Sequence, residues 1–318
     1  MVYLLFILGF VLLIKGADWL IEGAAALAQK LGISELVIGL TIVSLGTSAP
    51  ELVVNVLASL EDKPGLAIGN VVGSNLSNLM LILGVTAMVS PIAVQYSTRW
   101  IEIPFSMLST ALIMALVNDR LLDGMSVSIL SRSDGIAIMA YFLVFMGYTI
   151  YLSRRSPELF QEEVKARPVW KSISLVIIGI LSLSFGGDWI VDGAEKLALL
   201  AGLSEAVVGL TIVAIGTSLP ELATTVAAAR KKNADIAIGN VIGSNIFNLL
   251  WILGLSALIK PIPFRPSANY DFLFLIAITI LLMVLFQLGK RNVITSAKGI
   301  FLTSLYVAYL IFTVLMNR

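Results

Sequence analysis

The sequence predicts an all-α membrane protein with ten transmembrane helices, arranged as two five-helix repeats of inverted topology. The composition is 58% hydrophobic and 13% charged, with a mean hydropathy of +0.97, far outside the range of soluble domains. Its apolar runs reach the about 20 residues that a bilayer span requires. Two sets of motifs also recur at one constant spacing of 170 residues, which indicates the duplication of a whole unit.

The repeated motifs are long enough to define the two halves. The stretch 39–52, which contains Gly-Thr-Ser-Ala-Pro-Glu, returns as 209–222 with Gly-Thr-Ser-Leu-Pro-Glu. The block 67–84, with Gly-Asn-Val-Val-Gly-Ser-Asn at its core, returns as 237–254. Because both motifs return at the same spacing, we interpret the chain as two copies of one half.

Apolar runs between charged and turn-forming residues predict the position of each helix. In the first half we expect helices at about 2–29, 35–60, 66–90, 101–117 and 132–153. In the second half we expect them at about 170–200, 205–230, 236–259, 270–289 and 294–316. The longest polar stretch lies between the halves, so the predicted units are a repeat at 1–153, a linker at 154–169 and a repeat at 170–318.

The orientation follows from the odd number of crossings in each half. After five crossings the second half must enter the membrane from the opposite side, which inverts the repeat. With the linker in the cytoplasm, thirteen loop Lys and Arg residues lie inside and six outside, as the positive-inside rule favours. We therefore expect a multi-pass protein of the cell membrane with both termini extracellular and the linker 154–169 cytoplasmic. The first apolar run lacks the flanks of a signal peptide and is expected to be a retained helix.

The composition also excludes several classes of function. A net charge of +1 gives no general basicity for binding nucleic acid, and no P-loop motif for a nucleotide is present. The chain has neither His nor Cys, so oxygen atoms are the remaining ligands for an ion, and hydrolytic chemistry has few candidate groups. We expect no enzyme activity and no bound cofactor.

The first motif predicts a broken helix that carries an acid. Pro50 has no N–H for the carbonyl of Gly46, so the helix should break or kink there. Carbonyls freed inside a membrane must be satisfied by protein, water or an ion, which makes them candidate cation ligands. Thr47 and Glu51 are four residues apart and share one helix face. The second copy repeats this arrangement at Thr217, Pro220 and Glu221.

The second motif supplies further polar groups at helical spacing. Ser74 and Asn78 are four residues apart, as are their counterparts Ser244 and Asn248. Glycines at the same spacing permit close helix contact at positions 69, 73, 239 and 243. If the broken helices meet at a pseudo-two-fold axis, the two Glu carboxylates come together in an all-oxygen site suited to Ca²⁺ or Na⁺.

Together these motifs resemble those of the sodium/calcium exchanger branch of the cation/calcium exchanger superfamily, of prokaryotic type. The resemblance covers essentially the full chain and rests on Gly-Thr-Ser-x-Pro-Glu followed by Gly-Asn-x-x-Gly-Ser-Asn, present twice. It implies a secondary antiporter in the lipid bilayer that exchanges Ca²⁺ for Na⁺ by alternating access. We expect it to function as a monomer.

The resemblance also implies roles for individual residues. The calcium site is expected to be surrounded by Glu51, Glu221, Thr47 and Thr217. Flanking sodium sites are expected to include Ser48, Ser74, Ser218, Ser244 and the backbone carbonyls of Ser44 and Ala214, with Asn78 nearby. Several exchangers of this branch have Asp where this chain has Asn248, so the chain has two central carboxylates rather than three acids.

Three alternatives remain open at this point. An H⁺/Ca²⁺ antiporter of the same fold is one, because neighbouring carboxylates disfavour simultaneous ionisation and protons can then compete with Ca²⁺. A cation channel is another, although its filter normally comes from oligomeric rings rather than one pseudosymmetric site. A membrane enzyme is the third. Individual Ser and Thr hydroxyls can also bond to their own helix backbone instead of an ion.

Overall fold

The computed structural model describes residues 2–155, 168–200 and 216–316 of the chain. Within these ranges, eight helices are long and apolar enough to cross a membrane. The number becomes nine if the bent pair Glu35–Thr47 and Ala49–Leu60 forms one span. The predicted helical membrane protein is therefore confirmed. Most of the predicted linker and the first part of the helix predicted at 205–230 lie outside the described residues.

The helices follow the predicted order in both halves. The first half contains α1 (Val2–Leu31), α2 (Glu35–Thr47), α3 (Ala49–Leu60), α4 (Pro64–Val89), α5 (Thr98–Leu116) and α6 (Arg132–Arg155). The second contains α7 (Val169–Leu200), α8 (Leu219–Arg230), α9 (Ala234–Ile259), α10 (Asn269–Leu285) and α11 (Ser296–Met316). Single helical turns stand at Asp119–Leu122 and Pro266–Ala268. The main correction is α10, which ends at Leu285 rather than at the predicted 289.

The predicted break in the first motif helix is present and is centred on Ser48. Helices α2 and α3 meet there at an angle of 49°. Ser48 has φ −85° and ψ 9°, and Pro50 lies in the first turn of α3. The first N–H groups of a helix have no partner within it, so the missing N–H of Pro50 costs no hydrogen bond at this position. Proline therefore marks the start of the second segment.

The motif helices also contain π-helical segments. They lie at Gly39–Val43 in α2, Ser77–Ile82 in α4 and Phe247–Ile252 in α9. The segments in α4 and α9 occupy equivalent positions of the two halves and contain Asn78 and Asn248. Such bulges occur frequently at functional sites, where the wider turn changes the direction of a side chain.

Helices α1 and α7 run antiparallel and pack through small residues. A Cβ atom at Gly9 would lie 2.9 Å from the carbonyl oxygen of Gly186, and one at Gly16 would lie 3.0 Å from that of Gly179. No larger side chain fits at these distances without moving the backbone of the opposite helix. The glycines therefore allow the two long helices to approach backbone to backbone.

Glycines also allow close contact between the motif helices of the two halves. A Cβ atom at Gly239 of α9 would lie 2.9 Å from the carbonyl oxygen of Leu36 in α2. One at Gly243 would lie 2.7 Å from Oγ of Ser44. The close contact predicted for these two glycines is confirmed, and it holds the first-half broken helix against the second-half motif helix. A Cβ atom at Gly69 or Gly73 meets no described atom within 4 Å, and the segment equivalent to the start of α2 lies outside the described residues, so close contact at these two positions stays a prediction.

Two small antiparallel sheets connect loops of the opposite halves. Strand β1 (Ile92–Ala93) pairs with β4 (Val293–Ile294), and β2 (Ile129–Leu130) pairs with β3 (Ile262–Pro263). Each pair joins the segment after the second motif helix of one half to the loop before the last helix of the other. Strand pairing between their loops thus joins the two halves.

Candidate cation site

The predicted ligand side chains are excluded from solvent. Glu51 and Glu221 are each 1% exposed. The polar residues that are buried with them are Ser44, Thr47, Ser48, Ser74, Asn78, Ser218, Ser244 and Asn248. Thr217 is partly buried, and Ala214 lies outside the described residues. Ionised carboxylates are rarely buried without a compensating charge, so this burial is itself informative.

Both acids occupy the same position in their helices. Glu51 lies in the first turn of α3 and Glu221 in the first turn of α8, where helix N–H groups and the helix dipole favour negative charge. The residues that precede these helices also match. Ser218 has φ −87° and ψ 2°, close to the φ −85° and ψ 9° of Ser48. The repeated sequence therefore gives the same start to both acidic helices.

Contacts between the halves bring the two acids into one site. The hydroxyl of Ser48 donates a hydrogen bond of 3.0 Å to Oε1 of Glu221. The hydroxyl of Thr47 contacts Oδ1 of Asn240 at 3.1 Å. Glu51 also lies within electrostatic range of Glu221. The structure thus brings the first break and the second acid together, as the pseudo-two-fold arrangement predicted.

Several of the predicted ligand oxygens have no hydrogen-bond partner within the described part of the chain. These buried atoms are Oε2 of Glu51 and Glu221, Oδ1 of Asn78 and Asn248, Oγ1 of Thr217, and Oγ of Ser218 and Ser244. Buried polar atoms in native proteins are nearly always paired. A set of unpaired oxygens that includes two carboxylates matches the ligands that Ca²⁺ and Na⁺ take.

Some of the first-half groups also make local backbone bonds. The hydroxyl of Ser44 donates to the carbonyl of Thr41 at 3.1 Å, and the hydroxyl of Thr47 contacts the carbonyl of Ser44 at 3.4 Å. That Ser44 carbonyl also accepts the N–H of Ser48 at 3.0 Å. The single hydroxyl hydrogen of Thr47 serves either this carbonyl or Oδ1 of Asn240, so the carbonyl keeps a lone pair available, and its role as a sodium ligand stays a prediction.

The structure adds asparagines to which the sequence assigned no role. Asn240 accepts from Thr47, and its Nδ2 donates to Oγ1 of Thr225 at 3.0 Å. Its counterpart Asn70 donates to Oδ1 of Asn55 at 3.4 Å. Both belong to the Gly-Asn-x-x-Gly-Ser-Asn motif, so the repeat itself was the signal that could have identified them.

A second pair of asparagines from this motif links α4 to α9. Nδ2 of Asn75 donates to the backbone carbonyl of Asn245 at 3.2 Å, and Nδ2 of Asn245 donates to that of Asn75 at 3.4 Å. Nδ2 of Asn78 donates to Oδ1 of Asn245 at 2.9 Å, and Nδ2 of Asn248 donates to Oδ1 of Asn75 at 3.0 Å. Asn75, Asn78, Asn245 and Asn248 form an asparagine quartet, in which each half bonds only to the other.

The chain is similar to known proteins over nearly its full length. The family model described as "Sodium/calcium exchanger protein" matches residues 1–151 and 171–315. The putative antiporter CaxA of Alkalimonas amylolytica is 35% identical over 312 residues, which cover 95% of both chains. The sodium/calcium exchanger MaX1 of Methanosarcina acetivorans is 32% identical over 342 residues, which cover 97% of both.

A solved structure is similar over the same length. The sodium-calcium exchanger NCX_Mj, soaked with 2.5 mM Na⁺ and 0.1 mM Ca²⁺, matches with a TM-score of 0.80 at 32% sequence identity. The match covers 96% of this chain and 96% of that one. The likeness therefore extends to the fold and includes both motif pairs.

Proposed function

Because the chain belongs to the sodium/calcium exchanger protein family, we propose that it exchanges Ca²⁺ for Na⁺ across the cell membrane by alternating access. The family consists of membrane cation/Ca²⁺ exchangers rather than enzymes, and exchange needs no cofactor beyond the transported ions. One observation carries the proposal: Glu51 and Glu221 are buried together between the two halves, and Oε2 of each has no partner among the described residues.

The charge of the site suits its cargo. Two ionised carboxylates in a water-poor interior carry a large desolvation cost unless a cation compensates them. One Ca²⁺ or two Na⁺ ions balance Glu51 and Glu221 when both are ionised. Ca²⁺ takes about six to eight oxygen ligands, and the unpartnered hydroxyl and amide oxygens of the site can supply those that the carboxylates do not.

The neutral oxygens favour Na⁺ over H⁺ as the coupling ion. A proton needs one basic oxygen, whereas an alkali cation needs several ligands at once. Oδ1 of Asn78, Oδ1 of Asn248 and Oγ of Ser244 are buried, neutral and without a partner among the described residues. These atoms have no use in proton coupling but can replace the hydration shell of Na⁺. They support sodium exchange over proton exchange in the same fold.

The same proposal includes the membrane arrangement. Ten spans would form two inverted repeats, 1–153 and 170–318, joined by a cytoplasmic linker at 154–169 with both termini outside. The equivalent backbone angles of Ser48 and Ser218, where the two acidic helices begin, and the equivalent π segments in α4 and α9 support the repeat. Exchanging the conformations of two such halves opens one central site to either side in turn, so a single chain can suffice.

Transport into proteoliposomes tests the proposal. Purified protein is reconstituted with a high internal concentration of Na⁺, and uptake of ⁴⁵Ca²⁺ is followed after dilution into medium without Na⁺. We expect uphill uptake that a sodium ionophore abolishes. Uptake that follows only an imposed H⁺ gradient would assign proton coupling instead. Calcium entry that runs only down its own gradient and needs no counter-ion would indicate a channel.

A further inference from the structure

The asparagine quartet fixes which atom of Asn78 and of Asn248 is bonded and which is left without a partner among the described residues. A backbone carbonyl can only accept hydrogen bonds, so the side-chain group of Asn245 that meets the carbonyl of Asn75 must be its NH₂ group. Oδ1 of Asn245 then points the other way and accepts from Nδ2 of Asn78. With its nitrogen committed, Asn78 presents Oδ1, a buried atom without a partner among the described residues.

The orientation of Asn248 is fixed in the same way, starting from the backbone carbonyl of Asn245. Nδ2 of Asn75 meets the carbonyl of Asn245, so Oδ1 of Asn75 accepts from Nδ2 of Asn248. Oδ1 of Asn248 is likewise buried and unpartnered in the described structure. Each backbone carbonyl thus determines, through one intermediate amide on the opposite helix, the orientation of the asparagine three residues further along its own helix.

We propose that Asn75 and Asn245 are positioning residues that turn the side-chain oxygens of Asn248 and Asn78 towards the transported cation. The inference rests on the proposed function and adds to it the residues that orient its neutral ligands. An amide has nearly the same shape after a 180° flip, so shape alone does not select oxygen over NH₂. A flipped Asn78 would direct partial positive charge at the ion. The hydrogen bond from its Nδ2 prevents that flip.

The pairing is crossed, which gives the inference a specific signature. Asn245 of α9 orients Asn78 of α4, and Asn75 of α4 orients Asn248 of α9. Removing the side chain of Asn245 leaves the backbone carbonyl that anchors Asn75 in place. Each positioning residue should therefore act on one ligand only, whereas general damage to packing would affect both.

A double-mutant cycle on calcium binding tests this signature. The apparent Kd for Ca²⁺ alone is measured by calorimetry on purified wild type, Asn245→Leu, Asn78→Ala, Asn248→Ala and the two double variants that contain Asn245→Leu. Leucine is close to asparagine in size but makes no hydrogen bond. We expect Asn245→Leu to raise the Kd roughly tenfold, the effect of losing about one hydrogen bond to a ligand. It should add less than about twofold to Asn78→Ala but its full effect to Asn248→Ala.

The experiment also includes a control variant outside the quartet and the equivalent cycle with Asn75→Leu. Asn118 and Asn269 exchange two side-chain bonds of 2.7 Å away from the acids, so Asn118→Leu removes a similar amide pair and should leave the Kd unchanged. If Asn245→Leu is not monodisperse, the cycle of Asn75→Leu with Asn248→Ala and Asn78→Ala decides, with the roles of the two ligands exchanged.

The outcomes separate this inference from the proposed function. An unchanged Kd in Asn245→Leu, or an equal effect in both ligand-variant backgrounds, overturns the positioning role even if sodium-driven exchange is intact. Wild type that binds Ca²⁺ but shows no sodium-driven uptake overturns the proposed exchange while the cycle still reports on binding. Coupling of Asn245 to Asn78 alone, with wild-type exchange, supports both.

Discussion

The hydroxyl of Ser48 donates a 3.0 Å hydrogen bond to Oε1 of Glu221, whereas Oγ of its counterpart Ser218 has no partner among the described residues. The neighbouring threonines differ in the same way, because Thr47 contacts Asn240 and Oγ1 of Thr217 is unpartnered in the described structure. Two copies of one motif thus hold different contacts in a single structure. Alternating access between inverted repeats requires such an asymmetry, since exchanging the two arrangements reverses the exposure of the site.

This asymmetry predicts that Ser48→Ala makes calcium binding more sensitive to acid than Ser218→Ala does. The bond from Ser48 stabilises ionised Glu221, and a hydrogen bond to a charged group contributes about 1.5–3 kcal/mol. Without it, protons compete more effectively with Ca²⁺ for the carboxylate. Calorimetric titration over a pH series should show binding by Ser48→Ala falling away at higher pH than in wild type. Coincident curves for the two Ser variants would contradict the asymmetry.

The paired carboxylates predict that Glu51→Gln and Glu221→Gln each abolish calcium exchange in a folded protein. A divalent ion in this water-poor site is balanced by two negative charges, and removing either leaves positive charge uncompensated. Uptake into proteoliposomes is the measurement, with a monodisperse elution profile as the test of folding. Glu61→Gln is the matched control, because Glu61 directly follows α3, and its side chain is exposed and forms an ion pair with Lys63. Near wild-type uptake by either site variant refutes the assignment.

The shared pair of buried acids predicts that Na⁺ and Ca²⁺ compete. If Glu51 and Glu221 serve both ions, the two cannot occupy the site independently. Calorimetric titration of Ca²⁺ at rising concentrations of Na⁺, with choline replacing Na⁺ to hold ionic strength, should show apparent affinity that weakens without a plateau. An affinity that levels off at high Na⁺ would place the two ions in separate sites.

The contact between α2 and α9 predicts that Gly239→Ala destabilises the protein. The added Cβ would lie 2.9 Å from the carbonyl of Leu36 and 3.0 Å from the backbone N of Leu40, so a backbone must move, at a cost of about 1–3 kcal/mol. Gly147→Ala in the exposed face of α6 is the control, because no described atom lies within 4 Å of its Cβ. Thermal unfolding in detergent should show a lower Tm for the first variant only.

The sequence predicted the helices and the paired acids because these depend on local pattern. Long apolar runs are spans in any bilayer, and the position of Pro50 alone restricts where a helix can continue. The repeat then made Glu51 and Glu221 equivalent, so a shared site followed from symmetry. These inferences needed no knowledge of distances between helices.

The remaining features depend on tertiary contacts and could not be derived in that way. Asn75 and Asn245 are identical in the repeat, but only the approach of α4 to α9 shows that each bonds to the other. The π segments at Ser77–Ile82 and Phe247–Ile252 were not predicted from the sequence. Sequence identity also predicts equal roles for Ser48 and Ser218, which the structure shows in different contacts.

The resemblance of the sequence to sodium/calcium exchangers implies Asp in several of them where this chain has Asn248, and the asparagine quartet predicts what Asn248→Asp will do. The amide of Asn248 donates to Oδ1 of Asn75 and leaves its own Oδ1 free. A protonated carboxyl group can do the same, with one O–H donor and one free oxygen. An ionised carboxylate cannot donate, and it adds a third negative charge beside two others.

The variant should therefore resemble wild type at acidic pH and differ from it at alkaline pH. Two carboxylates balance one Ca²⁺ or two Na⁺, so a third negative charge favours binding of an additional Na⁺ and changes the sodium dependence of exchange. We would measure sodium-driven calcium flux against pH, and the accompanying current, in reconstituted membranes for wild type and Asn248→Asp side by side. The new charge lies beside the transport site only if Asn248 faces the ion. Identical sodium and pH profiles for the two proteins would therefore place Asn248 outside that site, and its assignment as a ligand would have to be withdrawn.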